Sequence, residues 1–403
     1  MNDSQNSHLV LWRQVGGVAA IQGAITLSWM LYRIFLPKLL EGFGFPGLDK
    51  GITILEDVFG ILLEPIMGSL SDNQRRWLGT RFPLIMLGVI LSSALLILIP
   101  VIFIFGQPML ALHWILPVAL VAWALAMAVF RAPAIALLGQ YATKTELPQA
   151  MSVIILVGGF VGAFRPIASD FILSLGPVIT FTIASFVLLG AVLVLRKVNP
   201  DRTLIEITPE TPPEIISIPQ LGLIAITGMG VAIGTRLMMG EILPKVLKMQ
   251  FPNTDMKLLM TAIAIGLAIM ALPAGKFAVK IGNIPAMLGG LAVTSLILIF
   301  MVLSQNPVII SVLILVFITA YSLIANGAIP FALSLVPPQR GGLGVGIYFG
   351  GFSLGMSVIG MLFIQPNVIP LFTKGILGAI VFIFVGVCLI LSEKLTKPES
   401  SLS

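Results

Sequence analysis

Charge is scarce in this chain. Only 10% of its 403 residues are Asp, Glu, Lys or Arg, against about 25% in an ordinary soluble domain. Hydrophobic residues make up 58%. A water-soluble globule of this composition cannot hide its apolar surface, so lipid is the solvent the chain is built for. Cysteine is nearly absent. Cys388 stands alone in an apolar run, which excludes a disulfide framework and any thiolate metal cluster. Histidine is almost as rare: His8 lies in the amino-terminal tail and His113 at a helix edge, and no metal site is expected. The sequence has no phosphate-cradling loop of the G-x-x-x-x-G-K-[ST] type and no Ser/His/Asp set, so no enzyme and no cofactor is expected. The formal net charge of +6 is spread over short loops, a pattern that suits membrane orientation and not nucleic acid.

What the chain does have is long apolar runs. A bilayer crossing needs about 20 apolar residues, and twelve such spans are expected: 15–36, 51–70, 82–104, 112–139, 149–170, 175–195, 218–241, 257–278, 284–304, 307–334, 342–365 and 370–392. A polar, proline-bearing stretch, 196–217, separates the sixth from the seventh. It holds Asp201, Glu206, Glu210 and Glu214 with Pro209, Pro212 and Pro213, and reads as a linker between halves 1–195 and 218–403. Arginine and lysine favour the loops on the side of the two termini, among them Arg75, Arg76, Arg81, Lys144 and Arg196. Fewer basic residues fall on the other side: Lys38, Lys50, Lys245, Lys248, Lys257 and Lys374. The bias predicts a multi-pass protein of the cell (inner) membrane with both termini cytoplasmic. The polar start Met1–Gln14 runs into a full-length span without a small-residue cleavage site, so no signal peptide is expected.

The halves repeat. Leu36-Pro37-Lys38-Leu39-Leu40 matches Leu243-Pro244-Lys245-Val246-Leu247, Gly68 answers Gly275, Pro83 answers Pro285, and Gly158-Gly159-Phe160 answers Gly350-Gly351-Phe352. This shared order predicts two parallel six-helix halves. The most informative stretch is Glu64–Ile85, EPIMGSLSDNQRRWLGTRFPLI. It puts an acid inside an apolar span, small residues (Gly68, Ser69, Ser71) where two helices can approach closely, and then Asp72, Arg75, Arg76, Gly79 and Arg81 in a short, mostly basic loop.

Glu64-Pro65-x-x-Gly68-x-x-Ser71-Asp72, followed by Trp77, Gly79 and Pro83, resembles the loop between the second and third helices of the major facilitator superfamily. More narrowly, it is similar to the glycoside–pentoside–hexuronide:cation symporters and the sucrose-transporter branch. The resemblance implies an all-α integral membrane protein with twelve transmembrane helices in two pseudo-symmetric halves. It also implies that Gly68, Asp72, Arg76, Gly79 and Arg81 form a cytoplasmic gate motif. In the symporters the place of Glu64 is typically an aspartate that binds the coupling cation, and an earlier second acid stands where this chain has Gly60. Ile329–Ser334 resembles the tenth-helix motif of sucrose transporters. Ala136–Gln140 resembles the end of their fourth helix, with Ile135 and Gln140 where those proteins carry an arginine and an aspartate.

Four arginines stand inside spans: Arg33, Arg131, Arg165 and Arg236. Glu64 is the deep acid, while Glu241 and Asp170 lie nearer span ends. A charge in the bilayer core costs about 3 kcal/mol on insertion scales unless it faces water or a partner. These residues are therefore expected to line a path, with Arg131 a partner for Glu64 or a ligand for the solute. Tyr32, Gln140, Asn326 and Tyr348 are further cavity candidates. Trp29 and Trp123 are aromatic planes suited either to a sugar face or to packing, and packing is favoured. Glu56 and Asp57 read as solvated helix-start acids. Spans three, six, nine and twelve hold no central charge, and the resemblance implies that they face lipid while the others surround a central cavity. The whole predicts a secondary active transporter, a monomer, working by alternating access with a proton or sodium ion bound at Glu64. A sugar or glycoside is the first substrate expected, an organic or sugar-phosphate anion the second. A non-transporting assembly or pigment-delivery factor on the same fold is the reading of another class.

Overall fold

The computed structural model describes residues 9–105, 114–199, 216–362 and 369–396. Over these residues the chain is helical, and its extended pairing is an isolated bridge between Val10 and Ala142. Twelve helical segments follow one another: α1 Trp12–Gly42, α2 Leu48–Leu78, α3 Phe82–Phe105, α4 Ile115–Tyr141, α5 Leu147–Ala163, α6 Arg165–Val198, α7 Ile218–Gln250, α8 Met256–Ile281, α9 Asn283–Leu303, α10 Pro307–Ser334, α11 Gly341–Leu362 and α12 Leu371–Thr396. All but α2 and α5 are long and apolar enough to cross a bilayer by length and composition. α2 is charge-rich, and α5 is short because the fifth crossing is interrupted at Phe164 and completed by the first residues of α6.

The expected span 149–170 is therefore two helical pieces. α6 itself breaks at Gly176, whose φ of 78° and ψ of 163° suit only glycine, directly before Pro177. Residues beyond that break form the sixth crossing. The other expected spans lie on helices that mostly run longer than the apolar windows, because helix ends extend past the hydrocarbon. The expected linker 196–217 lies largely outside the described residues, and α6 runs past its first positions to Val198. With an even number of crossings, both ends of the described chain lie on one side, called here the terminus side.

α2 shows why these sequences pack as they do. Its buried residues Ile52, Glu56, Gly60, Glu64, Gly68 and Asp72 recur every fourth position, a stripe along one face. Leu55, Leu62, Ile66 and Leu70 are exposed on the opposite side, where lipid would lie. The inward stripe meets a matching stripe on α11. A methyl group at Gly68 would strike the carbonyl of Gly342, one at Gly346 would strike the carbonyl of Glu64, and one at Gly60 would strike Ser353. Small residues thus let the two backbones approach without an apolar driving force, which lipid does not supply. α11 is equally close to α7 on its other flank, through Gly228, Gly351 and Gly355. α5 and α8 form the second seam between the halves, with Gly159 on Ala268 and Gly275 on Ser152 and Pro148. α3, α6, α9 and α12 pack at the periphery and turn Leu87, Ile183, Phe300, Ile383 and similar side chains outward, in agreement with their charge-free cores.

Candidate functional site

Between the halves lies a cavity in two adjoining parts. The first, of about 360 Å³, is lined by the far-side half of α1 from Gln22 to Arg33, by Arg131, by Gly162 and Arg165, and by Phe349. The second, of about 260 Å³, shares Gln22 and Phe349 and continues between α5, α7, α10 and α11 past Met151, Ile154, Tyr321 and Tyr348. Three of the four intramembrane arginines belong to this region. Arg33, Arg131 and Arg165 line the first chamber. Arg236, on α7, is exposed.

At the floor of the first chamber, Arg131 Nη2 holds Glu64 Oε1 at 2.7 Å. The side chain of Glu64 is 2% exposed and that of Arg131 is 22% exposed, so the arginine screens the acid from the cavity. α2 extends well beyond the apolar window 51–70, which places Glu64 near its midpoint. The Arg131 guanidinium also lies over the Phe349 ring at 4.3 Å, a cation–π contact that ties the pair to α11 in the other half. Glu64 Oε2 and Arg131 Nε are buried and have no hydrogen-bond partner among the described residues. A buried pair with unused polar atoms is a poor source of stability and a sensitive place for a protonation switch.

A second acid–arginine centre replaces an expectation from the sequence. Glu56 is not a solvated helix-start acid. It is buried, accepts a hydrogen bond from the Tyr32 hydroxyl, and is paired with Arg33 at 2.8 Å. Arg33 also donates to Thr53 and lies over Trp29 at 5.1 Å. Tyr32 stacks on Trp123 at 4.3 Å and meets Trp29 edge-on, so three aromatic rings wall this centre. Tyr32 therefore serves Glu56 and is fully buried, which corrects its assignment as a solute ligand. Trp123 is packing, as favoured, whereas Trp29 lines the cavity.

Asp57, the next residue, is half-buried and makes no hydrogen bond or ion pair among the described residues. Three cavity arginines thus stand with two buried acids, Glu56 and Glu64, where the sequence suggested a single deep acid.

On the terminus side the halves are locked. Asp72 is paired with Arg81 and accepts hydrogen bonds from the backbone N–H groups of Gly342 and Leu343, both at 2.8 Å. It thereby neutralises the positive end of α11 across the interface between halves. Arg81 also donates to the carbonyl of Ala136 at 3.0 Å, which adds α4 to the lock. Arg75 reaches the carbonyl of Pro338. Asp72, Arg75 and Arg76 lie in the last turns of α2 and not in a loop. The turn itself is made by Gly79, with φ of 72°. Arg76 is partly exposed, with no drawn-in contact comparable to that of Arg75.

Two other candidates lie away from the cavity. Gln140 is on the terminus side, beside a pocket of about 30 Å³ lined with Arg75 and Arg81, because α4 turns at Leu137 beyond the lock. Asn326 donates from Nδ2 to the Ala271 carbonyl at 2.6 Å and is fully buried, a tie between α10 and α8. Tyr348 does line the second chamber.

Lys374, counted as a loop lysine, is fully buried and paired with Glu241 at 2.6 Å. That glutamate sits in Arg236–Ile242, a π-helical stretch of α7. π-helical turns are rare and concentrate at functional sites. Nothing in the apolar pattern of 218–241 distinguished this turn from an ordinary helix. Asp170 is paired with Lys257 at 2.6 Å, exposed on the far side between α6 and α8.

The Major Facilitator Superfamily model matches residues 18–360, and the chain belongs to that family. Its members are transporters, so the chain is a multi-pass membrane protein on a transporter fold and not an enzyme. Solved structures agree on the fold. A bacterial homologue of the iron transporter ferroportin, in an outward-facing state, is similar with TM-score 0.73 and 17% identity over 94% of this chain and 99% of that one. The human organic anion transporter MFSD10 (TETRAN) gives TM-score 0.68 and 14% identity over 94% and 99%. The transporter FucP, in the outward conformation, gives 0.67 and 11% over 94% and 98%. At these identities the likeness concerns the fold alone. No curated protein matches the sequence.

Proposed function

We propose that the chain is a secondary active transporter that moves a small organic solute by alternating access, coupled to protons through the Glu64–Arg131 pair. The observation that carries this reading is the position of that pair. It lies at the base of a cavity between the halves, screened by one arginine, while Asp72 closes the terminus side. A carboxylate at this depth is costly when its partner is drawn away by a solute, and taking up a proton removes that cost. The proton is favoured over sodium because Glu64 is bonded to a cation already. The charge bias of the loops supports a cytoplasmic terminus side in a cell membrane, and we take the protein as a monomer with lipid and solute as its partners.

A neutral sugar or glycoside remains a second reading. It is favoured by the motif around Glu64 and by Trp29, which offers an indole at the cavity wall.

The test is proton-driven accumulation in proteoliposomes. With a transported solute, the wild-type chain is expected to concentrate it under an imposed pH gradient, and Glu64→Gln to equilibrate it without concentrating it. Intact accumulation in Glu64→Gln would remove Glu64 from the coupling role.

A further inference from the structure

The lock on the terminus side encloses a pocket of its own, of about 30 Å³. Arg75 lines it from the end of α2, Arg81 from the turn into α3, Gln140 from the end of α4 and Lys144 from the loop that follows. Pro338 and Gly341 line it from the start of α11 in the other half. Three basic side chains thus face this space, and no acid is among its described lining. Arg81, Gln140 and Arg75 are 1%, 5% and 6% exposed, so most of the donors are enclosed by the fold. Lys144 is exposed and stands at the mouth.

Two of these residues keep a donor that nothing accepts. Gln140 Nε2 and Arg81 Nε are buried and make no hydrogen bond among the described residues. The rest of the Arg81 guanidinium is engaged, with Asp72 and with the Ala136 carbonyl. Asp72 in turn also serves the N–H groups of Gly342 and Leu343. A buried N–H without an acceptor carries its full desolvation penalty, and in native proteins such a group marks a bound water or ion. Three cations around one small space favour the ion, because an anion accepts from every donor and offsets their charge together. A water needs roughly 10–15 Å³ of such space. A pocket of about 30 Å³ therefore takes a monatomic anion and excludes a phosphate ester or a nucleotide.

We propose that this pocket binds a halide ion, in cells chloride, held by Arg81, Gln140, Arg75 and Lys144. The site belongs to the closed terminus side, because Pro338 and Gly341 of the second half complete it and leave it when the halves part. A ligand that binds one of two states shifts the equilibrium toward that state. Chloride is thus an effector of the lock. The proposal goes beyond the transport reading and needs neither Glu64 nor the solute.

The test is thermal unfolding of the purified full chain in the sodium salts of gluconate, chloride, bromide, sulfate and phosphate, at one pH and one ionic strength. The linewidth of chloride-35 magnetic resonance reports binding directly. Chloride and bromide are expected to raise the unfolding midpoint along a saturating curve, and gluconate to leave it unchanged. Gln140→Leu should weaken halide binding by about tenfold. Gln140→Glu puts a carboxylate among the same donors. It should be as stable in gluconate as the parent is in saturating chloride, and should not respond to halide.

A merely structural glutamine predicts the opposite for Gln140→Glu, since a buried acid without a site to complete only destabilises. Should Gln140→Leu fail to fold, the comparison of chloride with gluconate on the wild-type chain and the behaviour of Gln140→Glu still decide. Equal midpoints in chloride and gluconate would overturn the proposal. So would a rise that never saturates and persists in Gln140→Glu, or stabilisation by sulfate or phosphate in preference to bromide. The halide response should be unchanged in Glu64→Gln, so failure of the coupling reading leaves this proposal standing, and loss of the halide response leaves the coupling reading untouched.

Discussion

Glu64 and Arg131 illustrate how a buried ion pair differs from a stabilising one. Bringing both charges out of water costs several kcal/mol, and their attraction does little more than offset it. Removing one partner leaves the other charged and buried, at a cost of about 3–5 kcal/mol. Arg131→Gln is therefore expected to lower thermal stability at neutral pH more than Glu64→Gln, which leaves the arginine with Phe349 and 22% of its side chain in the cavity. The double variant should recover most of the Arg131→Gln loss. Additive losses in unfolding experiments would mean that the pair is not coupled. Lowering the pH should relieve Arg131→Gln, since protonation removes the orphaned charge. The same reasoning explains why Glu64 and Arg131 were legible as partners: isolated charges in apolar spans must find each other. Glu56 was not legible in this way. It stands near the start of its apolar window, where an acid is ordinarily solvated, and the Arg33 and Tyr32 that bury it arrive from α1 by tertiary packing.

At the scale of the element, α2 and α11 act as a glycine-faced zipper, and α6 depends on one glycine at its bend. Gly68 meets the backbone of Gly342 so closely that a β-branched side chain cannot be accommodated without separating the helices. Gly68→Val is expected to open the terminus side. A cysteine at the buried position Leu333, in a chain with Cys388→Ser, should then react with a thiol reagent that it resists in the parent. Unchanged protection would show that the zipper does not hold the closure. Gly176→Ala is expected to lower stability by about 1–3 kcal/mol, because its backbone region is essentially closed to other residues. An unchanged melting temperature would contradict that.

Most helices could be read from apolar runs, since lipid forces every backbone group into an internal hydrogen bond and leaves the helix as the natural solution here. What could not be read were the places where a helix departs from regularity. The interruption at Phe164 and the π-helical turn at Arg236 both lie in apolar sequence that an ordinary helix would also satisfy. The end of α4 departs from its expected place at the cavity for a related reason. Gln140 sits one turn beyond Ala136, but the lock made by Arg81 on the Ala136 carbonyl lies between it and the cavity.

At the scale of the whole molecule, the halves are joined on the terminus side by Asp72, Arg81 and Arg75, and the cavity occupies the middle and the far half. An alternating-access carrier must exchange this arrangement for its opposite, and neutralising Glu64 removes the charge that resists occlusion of the cavity. The most direct test is the distance between the far ends of α1 and α7. Spin labels at Lys38→Cys and Lys248→Cys, both exposed, in a chain with Cys388→Ser, would report it by pulsed electron resonance. The account predicts two populations, with the shorter one growing at low pH and already dominant at neutral pH in Glu64→Gln. A single distance, indifferent to pH and to Glu64→Gln, would contradict it and favour a non-transporting role for the same fold.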